Sequence, residues 1–174
     1  MNINIKSIPA FKNISEVSLL DIENNTEILK FSMGQPICAE DVIPNKILII
    51  LSGQARSLHR LKSGGVKTIE KLKADSFIGL ISLLRVESCE YITASTDIMA
   101  LALSEKIVLK LYQQDLEFRK WCDNKLHSTE VYKTASILNK KNSIDENLSE
   151  IQYQSFLKNI EIISTNNSQD LIID

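Results

Sequence analysis

Histidine is almost missing from this chain. His59 and His127 are the only two, far apart in the sequence. No carboxylate–histidine ligand spacing accompanies them, so no metal site is expected. Two distant histidines also cannot supply the clustered ligands that a cupin-type enzyme draws from neighbouring strands. No Ser/His/Asp or Cys/His set suggests nucleophilic catalysis. The expectation is a domain with no cofactor and no catalytic residue. Cysteine is scarce too: Cys38, Cys89 and Cys122 are widely spaced and odd in number. That excludes a disulfide framework and points to a reduced, cytoplasmic location. A basic excess is absent, with 20 Lys and Arg against 22 Asp and Glu and a net charge of −2, which argues against a nucleic-acid partner. The longest apolar runs, Ile47–Leu51 and Ile98–Leu103, are far too short to cross a bilayer. The N-terminus lacks the basic-then-apolar order of a signal peptide.

The residues that are present divide by period. Ser15, before Glu16-Val17-Ser18-Leu19-Leu20, predicts a capped helix running to about Asn25. Short apolar runs follow, separated by turns at Met33-Gly34-Gln35-Pro36, Leu51-Ser52-Gly53-Gln54 and Lys62-Ser63-Gly64-Gly65. They predict strands over 27–33, 37–39, 46–52, 55–61, 66–72, 76–78, 89–96 and 98–103, in a mainly β barrel or double-sheet jelly roll. Ile47–Leu51 does not alternate, which places it in a central strand buried on both sides. Lys62–Lys67 has the look of a phosphate loop, but it lacks the Gly-Lys-Ser/Thr ending and reads as a hairpin turn. Ile107, Val108, Leu111 and Tyr112 form a helical stripe. Phe118, Trp121, Cys122, Leu126, Val131, Ala135 and Leu138 predict a long helix from Asp115 to Lys140, which would pair two copies as a homodimer. A break is expected at Lys140–Ser143, a further helix or tail over Leu148–Ile163, and a linker over Ser164–Gln169. The domain reading is 1–140, with a C-terminal helix and linker over 141–174.

The central stretch is Asp75–Ala94. Gly79 allows a tight turn, and the helix Leu80–Leu84 after it begins with unpartnered amides of the kind that suit an anion. The local words resemble the cyclic-nucleotide-binding domain family: Ile8-Pro9-Ala10-Phe11, Met33-Gly34-Gln35-Pro36-Ile37, Ile49–Arg56 and Asp75-Ser76-Phe77-Ile78-Gly79. The resemblance covers Ile8 to Lys140. It implies the jelly roll of that family and a nucleotide pocket at the cassette. In the family, a Glu after the glycine accepts from the ribose 2′-hydroxyl and an Arg pairs the cyclic phosphate. Here Leu80 holds the first position, and alignment on Ala94 puts Ser88 at the second. Losing one member of such a pair costs about 2–5 kcal/mol. The expected site is therefore a degenerate ligand pocket of Gly79, Leu80, Ile81, Ser82, Arg85, Ser88, Cys89 and Glu90. Leu80 and Ile81 close it with apolar packing, and Glu90 is read as a surface or salt-bridged carboxylate.

A narrower resemblance is carried by Ser82-Leu83-Leu84-Arg85, Cys89-Glu90-Tyr91-Ile92 and Ala94-Ser95. These words are similar to "S-L-L-R … C-E-W" in the N-terminal domains of cyanobacterial ABC exporters of the peptide and haemolysin type. They imply a non-catalytic regulatory or docking domain on the cytosolic face of a transporter. Its partners would be other domains of the same polypeptide, without nucleic acid and without membrane insertion of this segment. The alternative is a working sensor of a cyclic nucleotide or other small ligand, including a catabolite-activator-type transcription regulator. That reading needs a helix-turn-helix, and the residues after Lys140 show no Gly-turned helix pair.

Overall fold

A computed structural model describes residues 4–61, 64–141, 153, 155 and 158–160. Most of the break, the further helix or tail and the linker expected over 140–169 lies outside those residues, as does the side chain of Leu138; within them, residues 140 and 141 are still helical, and so are 153, 155, 158 and 159. Two compact units divide between Glu130 and Val131.

The first unit is a double-sheet jelly roll with helices before, within and after it. Two short 3-10 turns, Ile5–Ser7 and Pro9–Phe11, lead to α1 (Glu16–Asn24). The strands are β1 (Thr26–Phe31), β2 (Pro36–Cys38), β3 (Lys46–Ser52), β4 (Ala55–Arg60), β5 (Val66–Leu72), β6 (Phe77–Ile78), β7 (Ile92–Ala94) and β8 (Ile98–Ser104). They pair antiparallel in the orders β1-β8-β3-β6 and β2-β7-β4-β5.

The sequence of β3 explains the layering. Successive side chains of a strand point to opposite faces. Leu48 and Ile50 join Ala100 and Ala102 of β8 between the two sheets, with Cys38, Ala55, Leu72, Ile92 and Ala94 opposite. Ile47 and Ile49 point the other way, with Leu101 and Leu103, into a second core under the helices. The unbroken apolar run is thus one strand buried on both faces, as its lack of alternation predicts.

That second core is closed by α3 (Glu105–Gln114) and α4 (Leu116–Asp123). Phe11, Phe77, Phe118 and Trp121 form its aromatic centre, with Phe77 and Trp121 ring centroids 4.9 Å apart. Asp115 fixes the corner. Its Oδ1 accepts from Phe118 N–H at 3.1 Å and caps α4, while Oδ2 accepts from Ser15 N–H at 3.0 Å and Ser18 Oγ at 2.7 Å at the start of α1. Ser15 caps α1 as expected, accepting from Ser18 N–H.

The expected long helix is corrected. α4 ends at Asp123, and α5 (Ser128–Lys141) starts after a link over 124–127. The apolar spacing runs on through Leu126, but Asn124 turns its amide back to the Lys120 carbonyl and its backbone leaves the helix. Lys125 then folds over Trp121 and Phe77, at 4.6 and 5.4 Å from the ring centroids. Such cation–ring contacts contribute about 0.5–2 kcal/mol, which favours the turn over another helical turn.

Candidate functional site

The site begins where β6 ends. Asp75 adopts a left-handed φ of 67°, its N–H bonds to the Ile50 carbonyl, and Ile50 N–H bonds to the Ser76 carbonyl. These contacts hold the approach to the cassette against β3. Gly79 has φ +86°, and a Cβ there would lie 2.6 Å from Pro44 Cγ. No other residue type fits that turn without displacing Pro44. The helix α2 (Leu80–Arg85) follows directly.

Glu90 is the member whose burial was unexpected. It is 5% exposed, where a surface or salt-bridged carboxylate was expected. Its Oε1 accepts from Gly79 N–H at 2.9 Å, and Oε2 accepts from Ser82 N–H at 3.2 Å and Ser82 Oγ at 2.8 Å. Ser82 is fully buried, and its Oγ in turn accepts from Cys89 N–H at 3.3 Å. Burial pushes the Glu90 carboxyl up. Its hydrogen bonds with Gly79 and Ser82, and the Lys125 ammonium, pull it back, and the net direction is above the ordinary glutamate value. Lys125 is itself held below the usual ammonium range by burial, against the opposing pull of Glu70 and Glu90. Burial and the Lys125 charge push His127 down to about 4.

The other expected site residues separate into three groups. Leu80, 1% exposed, belongs to the core beneath the helices with Leu83, so it does not line the pocket as expected. Ile81 does face the small cavity beside Glu90. Arg85 leaves the cassette and pairs with Glu130 of α5 at 2.7 Å. Ser88 turns to the Ala39 and Glu40 carbonyls in the loop that follows β2. Cys89, expected as a buried apolar residue, is half-buried with its sulfur 3.5 Å from Ser82 Oγ. The strand expected over 89–96 is only Ile92–Ala94, because Cys89 and Glu90 are drawn inward to the cassette.

The cavity that Glu90 lines is about 70 Å³, and Ser57, Glu70, Ser76, Lys125, His127 and Ser128 share its walls. Ser57 Oγ is buried there without a hydrogen-bond partner. Sites that take drug-sized ligands measure about 300–1,000 Å³. A larger surface groove of about 600 Å³ runs between the Pro9–Phe11 turn and α4, and none of its lining residues belongs to the cassette.

The end of the cassette helix carries strain. Val86 ends α2 with φ 53°, a left-handed value that a β-branched residue rarely adopts, and it is 79% exposed. Val86 N–H reaches the Leu83 carbonyl, and Glu87 N–H the Ser82 carbonyl, so the turn is locked. A residue with a Cβ loses about 1–2 kcal/mol in this conformation, while glycine costs about 0.4–1 kcal/mol through the unfolded chain. Val86→Gly is therefore expected to raise the melting temperature by about 2–4 °C, read by differential scanning calorimetry.

A model of the cyclic nucleotide-binding domain matches residues 28–115, and the chain belongs to that family. No curated protein matches it. Among solved structures, it is similar to the regulatory subunit of a cAMP-independent protein kinase A from Trypanosoma brucei, at 16% identity and a TM-score of 0.63, covering 75% of this chain and 48% of that one. A triply substituted form of that subunit, bound to cAMP in its A site, matches at 17% identity and a TM-score of 0.54, covering 67% and 47%. The Thermus thermophilus catabolite activator protein matches at 20% identity and a TM-score of 0.54, covering 78% and 60%. The chain thus spans about half the length of the kinase subunit it resembles. At these identities the likeness is one of fold.

Proposed function

We propose that this chain is a non-catalytic regulatory or docking domain whose nucleotide pocket is closed to nucleotides. One observation carries the reading: Gly79 N–H and Ser82 N–H, in the first turn of the cassette helix, already hold the Glu90 carboxylate. A phosphate arriving there would meet a carboxylate instead of free donors. Leu80 offers no acceptor to a ribose, Ser88 no guanidinium, and Arg85 is engaged by Glu130. The small cavity supports the same conclusion. So does the trypanosome subunit, named as cAMP-independent, which keeps the fold. Its substituted form bound to cAMP suggests that a few side chains decide the matter.

We further assign the domain to the cytosolic N-terminal part of an ABC-type exporter of peptides or toxins, working against other domains of the same polypeptide. The support is the motif Ser82-Leu83-Leu84-Arg85 with Cys89-Glu90. Its Ser82 hydroxyl donates to Glu90 and accepts from the Cys89 backbone N–H, which gives the motif a physical task. Among the described residues no helix is long and apolar enough to cross a membrane.

Titration calorimetry with cyclic AMP and cyclic GMP tests the first half. No binding heat is expected up to about millimolar nucleotide, the range reached when one strong charged contact is lost from a micromolar site. Low-micromolar binding would replace this reading with that of a working nucleotide sensor. Reading the gene on either side of this segment tests the exporter half. Transmembrane and ATPase segments support it, and a helix-turn-helix overturns it.

A further inference from the structure

The occupant of the cassette, more than the helix end itself, is the informative feature. Glu90 is the same chain's own carboxylate, it is 5% exposed, and its two oxygens bridge donors at both ends of the first cassette turn. Resting on the reading above, we propose that Glu90 is a built-in ligand. It takes the part of an exchangeable anion on Gly79 N–H, Ser82 N–H and Ser82 Oγ–H, and so holds the cassette in its occupied arrangement without any signal molecule.

Three further observations support this assignment. The loop that delivers Glu90 is anchored on both sides. Before it, Ser88 Oγ donates to the Glu40 carbonyl. After it, Leu58 N–H bonds to the Tyr91 carbonyl at 2.8 Å, with the Arg60 guanidinium over the Tyr91 ring at 5.0 Å. A ligand tethered in place has an effective concentration that a free one must exceed, and its ordering entropy is lost once, on folding. The second observation is the direction of Ser82 Oγ. That oxygen accepts from Cys89 N–H at 3.3 Å and donates to Glu90 Oε2 at 2.8 Å. The third is the enclosing wall. Lys125 and His127 of the α4–α5 link, Ser128 at the start of α5 and Glu70 of β5 line the cavity next to the carboxylate. The anion therefore sits between the cassette and the segment that leads out of the domain. The ligand class that this receptor takes is a small carboxylate, matched in size and charge to the Glu90 head group.

The test is chemical rescue in the full chain. Trp121, the single tryptophan, packs on Phe77 next to the cassette and reports on it by emission. Glu90→Ala is expected to shift that emission and to lower the melting temperature by several degrees. Tens of millimolar formate, matched for ionic strength with chloride, should recover at least half of both changes in the variant and leave the wild type unmoved. A folded Glu90→Ala protein that gains nothing from formate beyond chloride overturns the proposal, as does an equal gain in the wild type. If Glu90→Ala does not fold, Glu90→Gln decides. It keeps the shape but sets an amide NH₂ against donors, and wild-type stability in that variant overturns the proposal, whereas a clear loss supports it. Nucleotide binding by the wild type would sink the proposed function, and failed rescue without nucleotide binding would sink only the built-in ligand.

Discussion

Leu80→Glu, which restores the family's acidic residue after the cassette glycine, is expected to unfold the domain and not to create a ribose contact. Leu80 is 1% exposed and packs with Leu83, Ile47 and Phe77 in the core beneath the helices. Removing a buried leucine forfeits about 1.5–3 kcal/mol of apolar burial. An unpaired buried carboxylate adds several kcal/mol more, or is forced neutral. A loss of about 5 kcal/mol is comparable with the whole stability of a domain of this size. Circular dichroism in a urea series reads it directly: the expected midpoint collapses towards zero denaturant. A Leu80→Glu protein that melts like the wild type would mean that position 80 faces the pocket, as in the family's nucleotide binders.

Asp115→Ala is the second large effect, and it lies outside the pocket. One carboxylate caps α4 through Phe118 N–H and ties the start of α1 through Ser15 N–H and Ser18 Oγ. Its removal leaves buried donors unsatisfied, at about 1–3 kcal/mol each before relaxation, so a net loss of about 3 kcal/mol is expected. The pH dependence has a definite sign. Desolvation works to raise the Asp115 carboxyl, but its hydrogen bonds to Ser15, Ser18 and Phe118 outweigh it and hold the group below the ordinary aspartate value. A carboxyl lowered in the folded state adds stability that is fully present above its unfolded value, about 3.9, and is lost as the pH falls through the folded value. Thermal melts of wild type and Asp115→Asn should therefore differ by a constant amount near neutral pH and converge below about pH 4. A gap that does not narrow in acid would show that the charge contributes nothing beyond an amide.

The sheets were readable from the sequence because turn residues and period agree there. Gly34, Gly53 and Gly64 all sit at positive φ between strands, and the unbroken run in β3 marks a strand covered on both faces. The start of the cassette was readable from Gly79 for the same reason. What defeated local reading was direction. The position of Leu80 suggests a pocket lining, yet the helix turns it into the core. Glu90 lies eleven residues beyond Gly79, in a loop whose path is set by contacts of Ser88 with the loop after β2 and of Tyr91 with β4. No local pattern announces which way such a loop turns its carboxylate. The link over 124–127 was hidden differently: the apolar spacing of Phe118, Trp121, Cys122 and Leu126 continues a helix, and only the aromatic platform that receives Lys125 shows why the chain leaves it.

The claim that joins these findings is that the anion position of the cassette is already filled by Glu90. The backbone amide resonances of Gly79 and Ser82, followed by ¹H–¹⁵N correlation spectra, address it at the atoms concerned. The account predicts that both stay in place in wild-type protein as cyclic AMP is added to millimolar excess, and that both move when Glu90 is replaced by Gln. Saturating shifts of the Gly79 and Ser82 amides on adding cyclic AMP to the wild type, with little change in Glu90→Gln, would contradict it.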